Sequence, residues 1–433
     1  MDLKNKKVLM MGLGILGGGV ATARFLVGKG AELTVTDLKS EDYLKTSLDL
    51  LKDISSQIKF VLGEHREEDF LNNEIIVINP DVPADNKFVK LARENGKQIE
   101  NELTLFYKFS PCQTVVGITG TRGKTTTTNW INHILNSAGR KARVLGNDPK
   151  KPLLSEINEC DAETIAVIEQ PSFLLEIMDI SAVSPHVAVV TNIFQDHLSR
   201  HKTMKGYALA KANIFKKQKA GDFLILDPED EWTQFFLNLS PKAKVVYPSV
   251  DALSGFDGAS FAKEYGRHSL KNFLLSAHAC LVLGVSVEDI IKSAETLPQI
   301  KWRQEIVFEN ERLQIYNDTA ACSPEATMVA LERFSGKDRK LILISGGTDR
   351  ELDFREWGVM VKKYLEPENI ILLSGTATEK MKKELGSKVE EHDILEECFK
   401  SALEKAKGNN AIILFSPSSK SFEKFNKLVE EAF

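Results

Sequence analysis

The stretch "TVVGITGTRGKTTTTNW", residues 114–130, decides how the middle of the chain folds. An apolar run that ends at Thr119 predicts a buried strand, a glycine-rich turn follows it, and the residues after Gly123 have the length of a helix. A turn of this kind directs backbone N–H groups and a helix N-terminus at an anion. The stretch therefore predicts a phosphate-binding loop between a strand and a helix.

The spacing of this loop differs from the common G-x-x-x-x-G-K-[ST] pattern. Ile118 stands where the first glycine is expected, and the glycines lie at Gly117 and Gly120 instead, although the Gly-Lys-Thr at the helix start is retained. We expect Lys124 to reach the β- and γ-phosphates of a nucleotide and the Thr125 hydroxyl to hold Mg²⁺. The alternative is a glycine-rich turn that serves only packing.

Strand and helix patterns alternate along the rest of the chain. Apolar runs such as "KKVLMMGLG", "HVAVVTN" and "KLILISGG" end in glycine or asparagine, and helical patterns lie between them. This alternation is typical of α/β proteins with parallel sheets. We expect three consecutive domains: a Rossmann-like domain over 1–98, a central P-loop-type ATPase domain with a mostly parallel sheet over 99–299, and a Rossmann-like C-terminal domain over 300–433.

A second glycine-rich turn, Gly12-x-Gly14-x-x-Gly17, follows the first predicted strand. Asp37 ends the next strand, so the pair matches the dinucleotide-binding fingerprint. A single match is weak, because many α/β domains use such a turn for another nucleotide or only for packing. If the phosphate loop binds ATP, this turn suits a second substrate that carries a nucleotide.

The composition is that of an ordinary globular protein with no bulk charge preference. The 433 residues include 56 basic and 61 acidic side chains, for a net charge of −5, which argues against binding of nucleic acid or anionic membranes. The five cysteines are scattered without a C-x-x-C pair, which predicts reduced thiols in the cytoplasm. The N-terminus resembles a secretory signal, but its glycines favour a strand and turn instead, and no apolar run is long enough for a membrane span.

Several polar residues stand at predicted strand ends or on helices. Glu169 ends a strand and suits Mg²⁺, which prefers oxygen ligands. Taken alone, His197 is better explained as part of a helix cap, Lys211 as a helix-face lysine, and Asp318 as a turn or cap residue. His268 and Arg303 indicate nothing by themselves.

The motifs in their order resemble those of the Mur ligases of peptidoglycan synthesis, over essentially the whole chain. The loop variant G-T-x-G-K-T is specific to that superfamily of ATP-dependent amide ligases. The other matching segments are "VIEQPSFLLE", "TNIFQDHLSRH", "YALAKANIF", "GRHSLKN", "WRQE", "YND" and "SGGTD".

The resemblance implies a reaction. ATP phosphorylates the terminal carboxylate of UDP-N-acetylmuramoyl-L-alanine, and the amine of D-glutamate attacks the acyl phosphate to give an amide, ADP and phosphate. It also implies ATP and Mg²⁺ as cofactors, small-molecule substrates, a monomer, and a cytoplasmic location.

The same resemblance implies a role for each site residue. The catalytic residues are Lys124, Asn147, Glu169, His197 and Lys211. The ATP-binding residues are Gly120, Thr121, Gly123, Lys124, Thr125, Thr126, Asn272, Arg303 and Asp318. The residues that bind the UDP-substrate are Gly14, Ile15, Leu16, Gly17, Asp37 and Ser172, and those that bind the amino acid are Arg350 and Ser421. The Mg²⁺ ligands are Thr125, Glu169, His197 and Lys211, the last as a carbamylated lysine.

The chain departs from the family pattern mainly where the substrates are expected. Pro171 replaces a serine, Asp148 and Ala320 replace an isoleucine and a lysine, Asp81 replaces a glycine, and Arg350 stands where a lysine is common. The residues expected to handle ATP and Mg²⁺ are intact. Three alternatives therefore stay open: a related ligase with another amino acid or acceptor, a dehydrogenase based on the first glycine turn, and a non-catalytic relative that binds nucleotide.

Overall fold

The computed structural model of the chain describes residues 1–146, 151–181, 183–336, 338–349, 351–386, 388–420 and 425–433. The chain forms two compact units. The first contains Met1–Phe256 and Asn272–Leu297, and the second contains Asp257–Lys271 and Pro298–Phe433.

The first unit begins with a parallel sheet whose strands, among the described residues, have the spatial order β3-β2-β1-β4-β5. The strands are β1 (Lys7–Met11), β2 (Glu32–Asp37), β3 (Ile58–Leu62), β4 (Ile75–Ile78) and β5 (Gln98–Glu100). The accompanying helices are α1 (Gly18–Gly28), α2 (Glu41–Asp49), α3 (Glu67–Asn72), α4 (Lys87–Glu94) and α5 (Glu102–Phe109). The strand order reverses between β1 and β4, so the loops after these strands lie side by side, at the place where such sheets bind ligands.

A second parallel sheet completes the first unit, in the order β11-β10-β9-β6-β8-β7 for the described strands. The strands are β6 (Thr114–Thr119), β7 (Ala142–Leu145), β8 (Ile165–Glu169), β9 (Val187–Val190), β10 (Phe223–Leu226) and β11 (Lys244–Val246). The helices are α6 (Lys124–Ser137), α7 (Ser172–Ser181), α8 (Leu198–His201), α9 (Met204–Ala212), α10 (Thr233–Leu237), α11 (Gly258–Tyr265), α12 (Arg267–Leu281) and α13 (Val287–Ala294). Of these, α11 belongs to the second unit, and α12 joins the first unit from Asn272 onward.

The second unit holds the third sheet, in the order β12-β13-β17-β14-β15-β16 over the described residues. The strands are β12 (Glu305–Glu309), β13 (Leu313–Asn317), β14 (Lys340–Gly346), β15 (Ile370–Leu373), β16 (Glu390–His392) and β17 (Ala411–Phe415). The helices are α14 (Pro324–Ser335), α15 (Arg355–Tyr364), α16 (Thr378–Leu385), α17 (Leu395–Ala406) and α18 (Phe425–Ala432). Only β12 is antiparallel to its neighbour among the described strand pairs.

The central strands are apolar along their whole length because helices cover both faces of a parallel sheet. Val116, Ile118, Val167 and Val189 are all fully buried. This is why the sequence predicts these strands well, and the predicted α/β class with mostly parallel sheets is confirmed. The short edge strands β11, β12 and β16 are not predicted, because they are only half-buried or exposed. The domain boundaries at residues 98 and 299 stay a prediction.

No helix within the described ranges combines the length and the apolar character needed to cross a bilayer.

Candidate active site

The predicted phosphate loop joins β6 to α6 in the first unit. Gly120 and Gly123 have φ angles of +142° and +83°, which only glycine adopts readily. A Cβ at Gly120 would overlap the Thr191 hydroxyl, and a Cβ at Gly123 would overlap the side chain of Asn272. The glycines are therefore required by close approach as well as by backbone conformation.

The loop is held in shape by the residues that follow β9. Asn192 accepts a hydrogen bond from Thr121 N through its backbone oxygen and one from Arg122 N through its side chain, each at 2.9 Å. The Thr191 hydroxyl donates to Arg122 O at 2.6 Å. These bonds hold the loop in this conformation.

Two lysine amines meet at one backbone oxygen of this loop. Lys124 Nζ donates to Gly120 O and Thr121 O, both at 3.0 Å, and Lys211 Nζ donates to Gly120 O at 2.8 Å. Lys211 is 1% exposed, and its Nζ lies 4.5 Å from the centre of the Tyr207 ring. Burial, and then the positive charge of Lys124, hold the pKa of Lys211 well below its ordinary value. The expectation of an exposed helix-face lysine is therefore wrong for Lys211.

Glu169 ends the strand next to the loop, in register with Ile118 of β6. Its Oε1 is buried and has no hydrogen-bond partner in the described part of the chain. A buried carboxylate oxygen without a partner is costly unless a cation or donor completes it. Oxygen donors of this kind are those that Mg²⁺ prefers, so Glu169 fits its predicted role as a metal ligand.

His197 lies at the start of α8, with φ 52° and ψ 28°, and its side chain does not cap the helix. A non-glycine residue in the left-handed region is uncommon and is often found at functional sites. Its ring lies 6.1 Å from the Tyr207 ring. Burial lowers the pKa of His197, Asp196 opposes that shift, and the charges of Lys211 and Lys124 add to it. The ring is therefore neutral and able to act as a ligand at neutral pH.

Tyr207 organises this part of the site, although the sequence analysis does not single it out. It is 1% exposed, its Oη lies 3.3 Å from Thr121 Oγ1, and its ring contacts His197, His201 and Lys211. Its position four residues before Lys211 places both side chains on one face of α9. That spacing is the one sequence signal that could have found it.

Described His, Cys, Asp and Glu side chains form no group of three able to hold a metal ion.

The first glycine turn is built differently. Leu13 N and Gly14 N donate to Asp37 Oδ2 at 2.8 and 3.2 Å, so the carboxylate already occupies two amides of the turn. Ile15 and Leu16 project from it, 47% and 79% exposed. Gly17, with φ +91°, stands at the N-cap of α1. The predicted contacts Gly14 and Asp37 thus lie together, with two exposed apolar side chains beside them.

Ser172 starts α7, and it is 1% exposed. Its Oγ lies 2.9 Å from His201 Nε2. The predicted substrate serine is therefore connected to the segment that carries His197 through a histidine that the sequence analysis does not mention.

In the second unit, Asp318 follows β13 and is 5% exposed. Gln304 N and the Ser416 hydroxyl donate to its carboxylate at 3.1 and 2.9 Å. Burial raises the pKa of Asp318 to about 7, against those hydrogen bonds and the charges of Arg303 and Arg333. Asp318 does begin a turn, in which Ala321 N donates to its backbone oxygen at 2.8 Å, but its side chain is also buried and doubly bonded.

The remaining predicted residues have simpler positions. Asn272 is 8% exposed and lies against Gly123 in the first unit, as expected for a residue near the loop. Thr125 and Thr126 lie in the first turn of α6. Burial lowers the pKa of His268 to about 4. Asn147, Arg350 and Ser421 lie outside the described residues, as does Asp148.

Comparisons with known proteins identify the family and the fold. The family described as the Mur ligase middle domain matches residues 118–271, and the Mur ligase MurD-like N-terminal domain matches residues 6–101. Solved structures share the fold: the MurF ligase of Thermotoga maritima in complex with ADP is 18% identical, with a TM-score of 0.60 over 100% of this chain and 97% of that one. A pseudomurein peptide ligase type C from Methanothermus fervidus is 19% identical, with a TM-score of 0.57 over 99% and 100% of the two chains.

Curated relatives extend over nearly the whole chain. The UDP-N-acetylmuramoylalanine–D-glutamate ligase of a Roseiflexus species is 35% identical over 89% of this chain and 86% of its own length. The enzyme of the same name from Clostridioides difficile is 34% identical over 98% and 96%. With this identity and coverage, the chain belongs to the Mur ligase family.

Proposed function

We propose that this chain is an ATP-dependent amide ligase that joins D-glutamate to UDP-N-acetylmuramoyl-L-alanine and releases ADP and phosphate. One observation carries the proposal: two lysine amines meet at Gly120 O, beside a strand end whose Glu169 carboxylate oxygen is buried without a partner. The curated relatives named for this reaction support it.

The loop binds the ATP phosphates through the amides at the start of α6. Lys124 exchanges the carbonyls of Gly120 and Thr121 for phosphate oxygens, and its charge offsets the charge on the phosphoryl group in transfer. Gly120, Thr121, Gly123, Thr125 and Thr126 form the rest of the phosphate site. Asn272, Arg303 and Asp318 are proposed to contact the nucleotide.

Thr125, Glu169, His197 and Lys211 are proposed to hold Mg²⁺, with Asn147 as a further catalytic residue. The metal would supply positive charge that offsets the negative charge of the phosphates during transfer. His197 supplies a neutral ring nitrogen, and Glu169 supplies the oxygen that has no partner among the described residues.

Lys211 is proposed to be carbamylated. Burial and the charge of Lys124 lower the pKa of Lys211, which favours the uncharged amine, the nucleophilic form. The nitrogen lone pair forms a bond to the carbon of CO₂, a C–O π bond breaks to give an oxygen anion, and the nitrogen releases one proton to water. The product is an anionic carbamate that suits a cation and relieves the repulsion between two adjacent amines. Carbon-13 NMR after incubation with labelled bicarbonate tests this, because a carbamate signal must appear in the wild type and be absent from Lys211→Met.

The acceptor is proposed to bind at Gly14–Gly17, Asp37 and Ser172, and the amino acid at Arg350 and Ser421. The regions 1–98, 99–299 and 300–433 then serve the UDP-substrate, ATP and the amino acid respectively. We also propose a cytoplasmic monomer. A dehydrogenase would leave the paired lysine amines at Gly120 O and the buried Glu169 oxygen without a role.

Phosphate release from ATP tests the function. The reaction contains Mg²⁺, UDP-N-acetylmuramoyl-L-alanine and, in separate samples, D-glutamate, L-glutamate, D-aspartate or L-lysine. We expect release only when both the acceptor and D-glutamate are present. Release with another amino acid would assign a different specificity, and ATP binding without release would identify a non-catalytic relative.

A further inference from the structure

The backbone of the segment 79–84, which follows β4, is held by a side chain far along the sequence. Arg200 Nη1 donates to Pro80 O at 2.6 Å, and Arg200 Nη2 donates to Val82 O at 3.1 Å. We name 79–84 the β4 loop. Its conformation depends on α8, which carries Arg200.

Glu176 of α7 completes the arrangement. Arg200 Nε and Nη2 donate to the two oxygens of Glu176 at 2.8 and 2.9 Å, and Ala84 N donates to Glu176 Oε2 at 3.3 Å. The Arg200 and Glu176 side chains are only 17% and 13% exposed. A bidentate pair of a guanidinium and a carboxylate that is mostly shielded from water holds both side chains in one orientation and balances their charges.

One end of this network reaches the first glycine turn. Asn79 begins the β4 loop, and its Nδ2 donates to Gly12 O at 3.4 Å. A Cβ at Gly12 would lie 2.8 Å from Asn79 Cβ, so the two loops are in close contact. The β4 loop therefore helps to shape the turn where the acceptor nucleotide is proposed to bind.

The other end reaches the catalytic region. Arg200 lies three residues after His197, and the guanidinium lies 5.6 Å from the Phe173 ring centre. The neighbouring His201 lies 3.4 Å from Glu176 Oε1 through Nδ1 and 2.9 Å from Ser172 Oγ through Nε2. The Arg200–Glu176 ion pair thus contacts both the β4 loop, which packs against the first glycine turn, and the segment that carries His197.

We propose that Arg200 is a positioning residue for the UDP-linked acceptor, acting through the β4 loop, with Glu176 as the group that aims its guanidinium. This inference rests on the proposed function. Arg200 does not itself touch the reacting atoms. It sets the distance between the acceptor turn and the residues after β9, so its loss weakens acceptor binding and leaves ATP binding intact.

The test uses Arg200→Lys, Arg200→Ala and Glu176→Gln in the full-length protein. Arg24→Lys is the matched control, because Arg24 also forms a fork with a carboxylate, Asp53, and donates to a carbonyl, Leu50 O, but makes no bond to the β4 loop. Calorimetry measures the Kd for UDP-N-acetylmuramoyl-L-alanine and, separately, for a non-hydrolysable ATP analogue. Thermal unfolding verifies that each variant is folded.

We expect the acceptor Kd to rise about tenfold in Arg200→Ala and Glu176→Gln, which corresponds to the loss of a charged hydrogen bond. Arg200→Lys is expected to be intermediate, since it keeps the charge and loses the fork. The Kd for the ATP analogue stays within about twofold, given that its loop is fixed by other residues. Guanidinium ion, added below unfolding concentrations, should restore acceptor affinity to Arg200→Ala.

Equal weakening of acceptor and ATP binding, or an acceptor Kd unchanged from that of Arg24→Lys, would overturn the inference. If Arg200→Ala and Glu176→Gln do not fold, the same two dissociation constants are measured for Arg200→Lys alone, and they decide whether the inference holds. Acceptor binding that behaves as expected, in a wild-type protein that releases no phosphate, would overturn the proposed function while supporting the role of Arg200.

Discussion

Two glycine-rich turns in the first unit share a strand–turn–helix arrangement, but the charged side chains bonded to them have opposite signs. Each follows a central strand and begins a helix, β1 to α1 and β6 to α6. In the first turn a carboxylate, Asp37, accepts from two turn amides. In the second turn, two lysine amines bind a loop carbonyl.

The difference shows that a glycine pattern predicts a shape and not a ligand. The first turn has its amides partly neutralised and presents two exposed apolar residues, which suits contact with a base or sugar. The second turn carries positive charge in a largely buried place, which suits phosphates. The following predictions test this contrast, beginning with the largest expected effect.

Lys124→Met tests the charge of the second turn. We expect phosphate release to fall about 10³-fold, because the charge that offsets the transferring phosphoryl group is lost. The Kd for UDP-N-acetylmuramoyl-L-alanine should not change. Lys29→Met, at the end of α1, is the control and keeps wild-type turnover. A loss of acceptor affinity in Lys124→Met would mean that the two turns are not separate sites.

Lys211→Met separates activity from stability. We expect turnover to fall about 10²-fold through loss of a metal-binding group, while the free energy of unfolding rises by about 1–3 kcal/mol because a buried amine is replaced by an apolar side chain. Turnover is measured by phosphate release and stability by urea unfolding. A less stable Lys211→Met protein would contradict the view that Lys211 is retained for function.

Gly120→Ala tests the close packing of the second turn. The new Cβ would overlap the Thr191 hydroxyl, and the φ of +142° is strained for any other residue. We expect a loss of about 1–3 kcal/mol in stability, together with weaker ATP binding. Gly18→Ala, in α1, is the control since nothing described lies within 4 Å of its Cβ. Equal stability of the two variants would show that the second turn tolerates a side chain.

The last prediction concerns another strand end, Asp318. Its pKa of about 7 lies above the ordinary value of 3.8, so the folded state binds more protons than the unfolded state between these values. Stability therefore falls as pH rises from about 4 to 7 and then levels off. Asp318→Asn should remove this slope, which urea unfolding at pH 5 and pH 8 can detect. An unchanged slope would assign the effect to other groups.

The sequence predicts the fold well, because strands buried in a parallel sheet appear in the sequence as continuous apolar runs. It also places Lys124, Glu169, His197 and Asp37 at strand ends, where ligands bind. It misses Tyr207, Arg200 and Glu176, since their roles depend on which helices pack together. Taken alone, the sequence around Lys211 and Asp318 does not predict that their side chains are buried. Burial of a side chain on a helix or after a strand depends on segments that are distant in the sequence.

The interleaving of the two units along the chain has a consequence during synthesis. Residues Asp257–Lys271 belong to the second unit, although they are translated before the last segment of the first, Asn272–Leu297. The ribosome must therefore synthesise the chain up to residue 297 before the first unit can complete its folding. The segment with α11 can pack into the second unit only after β13 and α14 have been synthesised. A protein cut near residue 299 would leave that segment without its packing partners, so the two halves should be expressed together to yield folded protein.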